Sequence, residues 1–488
     1  MTSSAERKAR KARGSREPRL QAYALPAAFS RRATVGWAVI VGVLLAAGAY
    51  FMFDRLANGL GMAGATNAVP WGLWVVVYIW FSGLAGGLYL LSALVYLLRL
   101  PRFAPIARLS LGLSVVSLVV SMIFIGIDLG AIRHSLGTLL FFHWSSPLAW
   151  EIKAYLFFMA VAVVQFALVL WNDKRAAADA RTADAGGGDG GAVAGASSAE
   201  ALRRRGNVNL AIRVLAGVGV ATSFVGPPGG TGMFFAAVKT RGLWEGGVTS
   251  VLFYVMAIVT AAAFLIVAYR LLARLRGARP DGGVLAGLNR VLAASLLAFA
   301  FCVFFQVAPA LLSGDPAVAA PVQVMVAGSL APLFWAGEIG LGLVLPALLL
   351  AVGAARSRAG RADGRGIAGG AWAVGAALSA MAGILALRYV LVVAGFSVPL
   401  LDGMPLPAYV PSAGEVMVAL FVLGLAVGCY GLAVRLLPLE RVGASEGEAQ
   451  VESAYADAGA DAVLGAASGA SPRDEVSTGK EVRDGGAA

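Results

Sequence analysis

Long apolar runs alternate with short polar connectors along the whole chain. Ten runs stand out, at 34–53, 70–98, 107–128, 148–171, 207–226, 247–270, 288–312, 325–353, 367–395 and 413–434. A helix rises about 1.5 Å per residue, so about 20 apolar residues cross the hydrocarbon core of a bilayer. The pattern predicts an all-α integral membrane protein of about ten transmembrane helices, arranged as two helical bundles plus extra helices. Several runs exceed the minimum length, which permits tilt without fixing an angle. The connectors divide the chain into a basic leader over 1–33, a first bundle over 34–171, a linker over 172–206, a second bundle with its extra helices over 207–437, and a tail over 438–488. Residues 176–201 and 442–488 carry Ala, Gly and acidic residues with no hydrophobic period, the composition of disordered chain.

Composition agrees with this picture. Hydrophobic residues make up 59% of the chain and charged residues 14%, with a mean hydropathy of +0.78. The net charge of +12 raises the question of a nucleic-acid partner, and its distribution answers it. Nearly all Lys and Arg fall in the leader, in alternate connectors and in the tail. The intervening connectors hold only Arg55, Arg133, Lys239 and Arg241. This is the positive-inside pattern of membrane proteins. It places both termini in the cytoplasm of a bacterial inner membrane. The charge is then topological, with some attraction to anionic lipid, and implies no nucleic acid. The first apolar run follows basic residues and is too long for the core of a signal peptide, so it reads as an anchor. Cys302 and Cys429 lie inside apolar runs, form no CxxC motif and read as small buried hydrophobes.

The scarce titratable groups gather in one hairpin. Both histidines of the chain, His134 and His143, sit in "DLGAIRHSLGTLLFFHWSSPLAWEIK", with Asp128, Arg133, Glu151 and Lys153 around them. Charge in or beside a span is costly and points to function. Two readings are open at this point. One is an interfacial ion-pair network tying two helices together. The other is a proton-coupled redox site at the membrane edge. A quinone needs an apolar slot and hydrogen-bonding groups at its oxygens, and quinol oxidation releases two protons to acceptors such as His, Asp and Glu. A haem held by two histidines is excluded, because both lie in one loop. No tight zinc motif is present.

Other features carry less chemistry. Glu338 and Arg388 lie within apolar runs and read as a buried ion pair or as parts of a proton path. Ser82, Gly83, Ala85, Gly86 and Gly87 allow close helix packing, or a flat slot for a ring. "GGLYLL" at 86–91 and "AAAFLI" at 261–266 share a pattern that would fit an internal duplication.

The motifs "GLGMAGATNAVPWGLW", "GLAGGLYLLSA", "DLGAIRHSL" and "SSPLAWE", followed by "GMFFAAVKTRGLW", "FWAGEIGLGLVLP", "LRYVLVV" and "YVPSAGE", resemble in content and order the polysulfide-reductase membrane-subunit, or NrfD-like, family. The resemblance covers roughly 34–437. Ten spans match its longer branch, which includes membrane subunits of periplasmic hydrogenases and of sulfur-metabolism redox complexes. It implies a quinone-reactive subunit that binds menaquinone or ubiquinone as substrate and has no haem or metal of its own. It also implies a periplasmic ferredoxin-like iron–sulfur partner and a catalytic subunit such as a molybdopterin enzyme, a hydrogenase or a multihaem cytochrome. Asp128 matches the family's "DLG" acid. "AIR" stands where "RP" is common, so Arg133 lies further along than the family's arginine. With the resemblance, Asp128, His134, His143 and Glu151 are the candidates for quinone binding and proton transfer, supported by the charges of Arg133 and Lys153. The rival readings are a secondary transporter with a midplane site built on Glu338 and Arg213, and a passive membrane anchor for a periplasmic oxidoreductase.

Overall fold

The computed structural model describes residues 29–134, 137, 140, 141, 143–185, 193–278, 280–362, 370–399 and 408–439. The tail, most of the leader and the centre of the linker lie outside these residues, so the disorder expected there does too. The described residues form twelve helices and no strand. They are α1 (Arg31–Asn58), α2 (Leu73–Tyr96), α3 (Ala104–Asp128), α4 (Pro147–Ala185), α5 (Val193–Ser223) and α6 (Gly229–Ala236), then α7 (Gly247–Leu275), α8 (Gly282–Leu312), α9 (Pro316–Val326), α10 (Leu345–Ala362), α11 (Gly370–Phe396) and α12 (Ala413–Leu436). α10 continues without a break from π-helical turns over Leu333–Val344.

Among the described residues, nine helices are long and apolar enough to cross a membrane. The tenth expected run, 207–226, is the second half of α5. That helix has 31 residues, but Asn207, Asn209 and Arg213 dilute its hydropathy. The linker also differs from expectation where it is described. α4 runs on to Ala185 and α5 begins at Val193. The Ala-rich stretch after Lys174 is a strong helix former, and that preference holds the backbone helical without an apolar face.

α2 is the hub. Almost all of its side chains are buried, whereas α1 buries only Gly48, Met52 and Arg55. The small residues of α2 are used for close packing, not for an open slot. A Cβ at Gly86 would meet the Pro227 carbonyl oxygen 2.5 Å away, and one at Gly87 would meet Ala261 Cβ at 2.8 Å. The contact at Gly87 brings together the two segments with the shared sequence pattern. α1 and α12, from opposite ends of the chain, pack on each other. Gly48 lets the α12 backbone approach, and Gly424 lies against Leu44 and Leu45.

Contacts fix which helix ends lie together. Arg55 at the end of α1 reaches Ile127 and Leu129 at the end of α3. Trp74 at the start of α2 reaches Glu415 at the start of α12. Glu151 at the start of α4 reaches Thr231 in α6. Trp71 packs on Trp244, before α7, and on Phe396, which ends α11. All of these lie at one end of the bundle. At the other end, Arg435 of α12 stacks on Phe29 at 4.8 Å and on Trp37 at 4.1 Å. The two ends of the described chain therefore meet.

Candidate functional site

The site is built from α2 outward. Tyr78 and Ser82 are four residues apart and share one face of α2. Glu151 and Tyr155 have the same spacing on α4. α6 adds Thr231, just after the Pro227–Pro228 turn. Glu151, Thr231, Tyr155 and Ser82 join in one hydrogen-bonded line. Thr231 Oγ1 donates to Glu151 Oε1 at 2.7 Å, and Tyr155 Oη lies 2.7 Å from Thr231 Oγ1. Thr231 has a single hydroxyl proton and gives it to the carboxylate, so Tyr155 donates to Thr231. Ser82 then donates to Tyr155. Glu151 Oε2 is buried with no hydrogen-bond partner. A buried carboxylate oxygen left unpaired costs free energy unless something meets it.

Arg388 of α11 closes the inner end of this line. It is 0% exposed, donates through Nη1 to the Ile79 carbonyl and stacks on Phe253 at 5.5 Å. Its Nε and Nη2 find no partner. It does not pair with Glu338. That glutamate sits in the π-helical turns, 1% exposed, with Oε1 unpartnered. Gly337 and Gly342 of those turns pack on Ala386 and Gly383 of α11, whereas Arg388 faces Gly83 of α2. The expected ion pair fails because the two charges occupy different faces of the helix pair.

Asp128 ends α3, half-buried and without a hydrogen bond among the described residues. Arg55 and Glu415 are its charged neighbours, and Tyr78 lies within electrostatic reach of Asp128, Glu151, Tyr155 and Arg388. Tyr78 thus stands between the α3 acid and the α4 line. Ser121 holds that part of α2 by donating to the Tyr78 carbonyl at 3.0 Å.

A second knot lies beside Asp128. Arg55 is 1% exposed and donates to Ile127 O at 2.7 Å and Leu129 O at 2.6 Å. Glu415 closes a capping box with Ser412. Its Oε2 accepts from Gly64 N at 3.1 Å and Ser412 N at 2.9 Å, and its Oε1 accepts from Tyr409 Oη at 3.0 Å. Leu73 N donates to the same Tyr409 hydroxyl at 2.6 Å. Burial, then Glu415, pushes the Tyr409 hydroxyl well above its ordinary value, so it stays a donor.

Asp128 and Glu151 therefore both lie within electrostatic reach of Tyr78, and the histidines are left out. His134 and His143 are exposed, and His143 Nδ1 lies 2.9 Å from Ser145 Oγ. Arg133 lies in a 3-10 turn, and its side chain is outside the described residues. Lys153 is half-buried and points about 200° around α4 from Glu151. Sequence reading passed over Arg55, Tyr78, Tyr155, Thr231 and Tyr409. The paired spacing of Tyr78 with Ser82, and of Glu151 with Tyr155, was the available signal.

The fold and site define a class: a multi-pass helical membrane protein with a linked polar site buried at one end of an apolar bundle. The family model described as "Polysulphide reductase, NrfD" matches residues 61–399, and the chain belongs to that family. It is similar to a selenate reductase subunit from Mesobacillus selenatarsenatis, 26% identical over 82% of this chain and 93% of the relative. It is similar to the Hdr-like menaquinol oxidoreductase integral membrane subunit of Archaeoglobus fulgidus, 20% identical over 64% and 69%. A putative dimethyl sulfoxide reductase membrane subunit from Halobacterium salinarum is 24% identical over 53% of this chain and 56% of the relative.

Proposed function

We propose that this chain is the quinone-reactive membrane subunit of a respiratory redox complex. It exchanges two electrons between menaquinol or ubiquinol and an iron–sulfur partner on the periplasmic side, which serves a separate catalytic subunit. Oxidation of the quinol gives the quinone, two electrons for the partner and two protons for the site. The observation that carries this reading is Glu151. It is a buried carboxylate with one oxygen bonded to the Thr231–Tyr155–Ser82 line and the other unpartnered, in an apolar bundle, within electrostatic reach of Tyr78, as Asp128 is from the other side. Asp128 and Glu151 take the protons, and Tyr78 lies where a ring oxygen would bond. His134 and His143, exposed beyond this point, hand protons to water. The chain makes ten crossings of the inner membrane, with both termini cytoplasmic and the site on the periplasmic side. The similarity to the Archaeoglobus menaquinol oxidoreductase subunit supports this chemistry. The transporter reading loses its midplane pair, since the turns that carry Glu338 pack on α11 whereas α5, which carries Arg213, packs on α2 and α4.

The test is a fluorescence titration of the full-length chain in lipid nanodiscs with the quinol-site inhibitor heptyl-hydroxyquinoline N-oxide. Glu151→Gln and Asp128→Asn should each weaken saturable quenching by roughly tenfold, the scale of one lost charged hydrogen bond. His143→Ala should bind as the native chain does. Unaltered binding by both acid variants would remove the quinone from this site.

A further inference from the structure

The family's match begins at residue 61 and ends at 399. α1 and α12 flank that span, with the "YVPSAGE" motif running into the start of α12, and both reach the site. α1 is exposed along most of its length, and the one charged side chain it buries is Arg55. Placing a guanidinium among apolar helices is costly. Here it is offset by two short bonds to main-chain carbonyls, Ile127 O at 2.7 Å and Leu129 O at 2.6 Å. These carbonyls stand at the C-terminal end of α3, where helix carbonyls lack intrahelical partners and carry partial negative charge. They also flank Asp128 on either side. The planar fork of Arg grips two acceptors at fixed spacing, which a lysine cannot copy. Asp128 itself is left without a hydrogen bond among the described residues, its carboxylate facing a positive charge and free for a ligand.

Arg55 is held in turn from the other end of the chain. It lies 5.7 Å from the Trp74 ring, and Trp74 Nε1 donates to Glu415 O at 3.0 Å. Glu415, 1% exposed, ties α12 to the 59–72 connector through Gly64 and Tyr409. The α1–α12 contact at Gly48 fixes the pair of helices against each other.

We propose that α1 and α12 form a strap that completes the quinone site from the two ends of the described chain, with Arg55 as the positioning residue that aims Asp128. This rests on the quinone reading above and adds to it a residue and two helices that the reading does not need. Arg55 touches no substrate. It acts by fixing the backbone on both sides of the acid and by facing it with charge.

The experiment is a double-variant cycle on the full-length chain in nanodiscs, with heptyl-hydroxyquinoline N-oxide as probe and thermal midpoints recorded alongside. Arg55→Met should weaken binding roughly tenfold. Arg55→Lys, which keeps the charge and loses the fork, should recover part of it. Combined with Asp128→Asn, Arg55→Met should add little, because the residue it aims is already gone. Losses that multiply in the double variant, or native binding by Arg55→Met beside weak binding by Asp128→Asn, would overturn the strap and leave the quinone reading in place. Native binding by Asp128→Asn would overturn both. A purely structural Arg55 would lower the thermal midpoint of Arg55→Lys and Arg55→Met while the cycle stayed multiplicative.

Discussion

At the scale of single residues, rarity and burial proved to be different signals. The two histidines drew attention because the chain has no others, yet both are exposed on the connector after α3. Asp128 and Glu151 were legible for a sounder reason, since a carboxylate in an apolar run needs compensation. Their partners were hidden. Ser82, Tyr155 and Thr231 are hydroxyl residues of a kind common in apolar helices, and the bonds that link them to Glu151 and to one another join positions more than seventy residues apart. Only the fold supplies that proximity. Tyr409 shows how much one such hydroxyl can hold. It takes the Leu73 N–H and gives its own proton to Glu415. Tyr409→Phe should destabilise the protein by about 1–3 kcal/mol, the cost of leaving buried polar groups unpaired, measured by thermal unfolding in detergent. The sign of any pH effect follows from its raised pKa. The hydroxyl's contribution is fully present below the ordinary tyrosine value near about 10 and declines only as pH rises above it. The difference between Tyr409→Phe and the native chain should therefore be constant through the neutral range.

At the scale of elements, hydrophobic runs located the helices well, because about 20 apolar residues have few alternatives to a spanning helix. Boundaries set by capping were less visible. Ser30 caps α1 by accepting from Ala33 N at 3.2 Å, and Gly59 ends that helix with a φ of 77°, so α1 runs past the apolar stretch and carries Arg55 to the site. α4 likewise outruns its apolar stretch through Ala-rich sequence. The glycines of α2 favoured packing but left a ring slot as the alternative, since a sequence does not say which surface approaches a missing Cβ. The structure fills that space with α7 and the Pro227–Pro228 turn. Gly87→Val would drive a branched side chain into Ala257 and Ala261, with no flexible neighbour to yield. It should cost roughly 1–3 kcal/mol or more by overpacking and lower the yield of folded protein on size-exclusion chromatography. Gly126→Ala, where a Cβ meets nothing within 4 Å, should behave as the native chain.

At the scale of the whole molecule, the decisive element is α5, whose hydropathy alone leaves its role open. Glu151 opens α4, and Thr231 follows α5 by a few residues, yet the two side chains are bonded. α4 leads away from the site end, so α5 must bring the chain back along the same bundle. It therefore traverses as much depth as α4 despite Asn207, Asn209 and Arg213. Tyr89 of α2 helps make this tolerable, its hydroxyl lying within hydrogen-bond distance of Gln165 of α4 and the Leu215 carbonyl of α5 with one proton to give, so the polar helix sits against neighbours with groups to match. Counting α5, the proposed path crosses an even number of times, which agrees with Arg435 stacking on Phe29 and Trp37 at the far end. The proposed topology, drawn from the distribution of Lys and Arg, has that end in the cytoplasm. Fusions of green fluorescent protein to the N- and C-termini should both fluoresce, and alkaline phosphatase fused after Gly242, in the connector at the site end, should be active. Fluorescence at one terminus alone would mean that α5 does not cross. The chain would then have nine spans, and Glu151 and Thr231 could not share one side of the membrane.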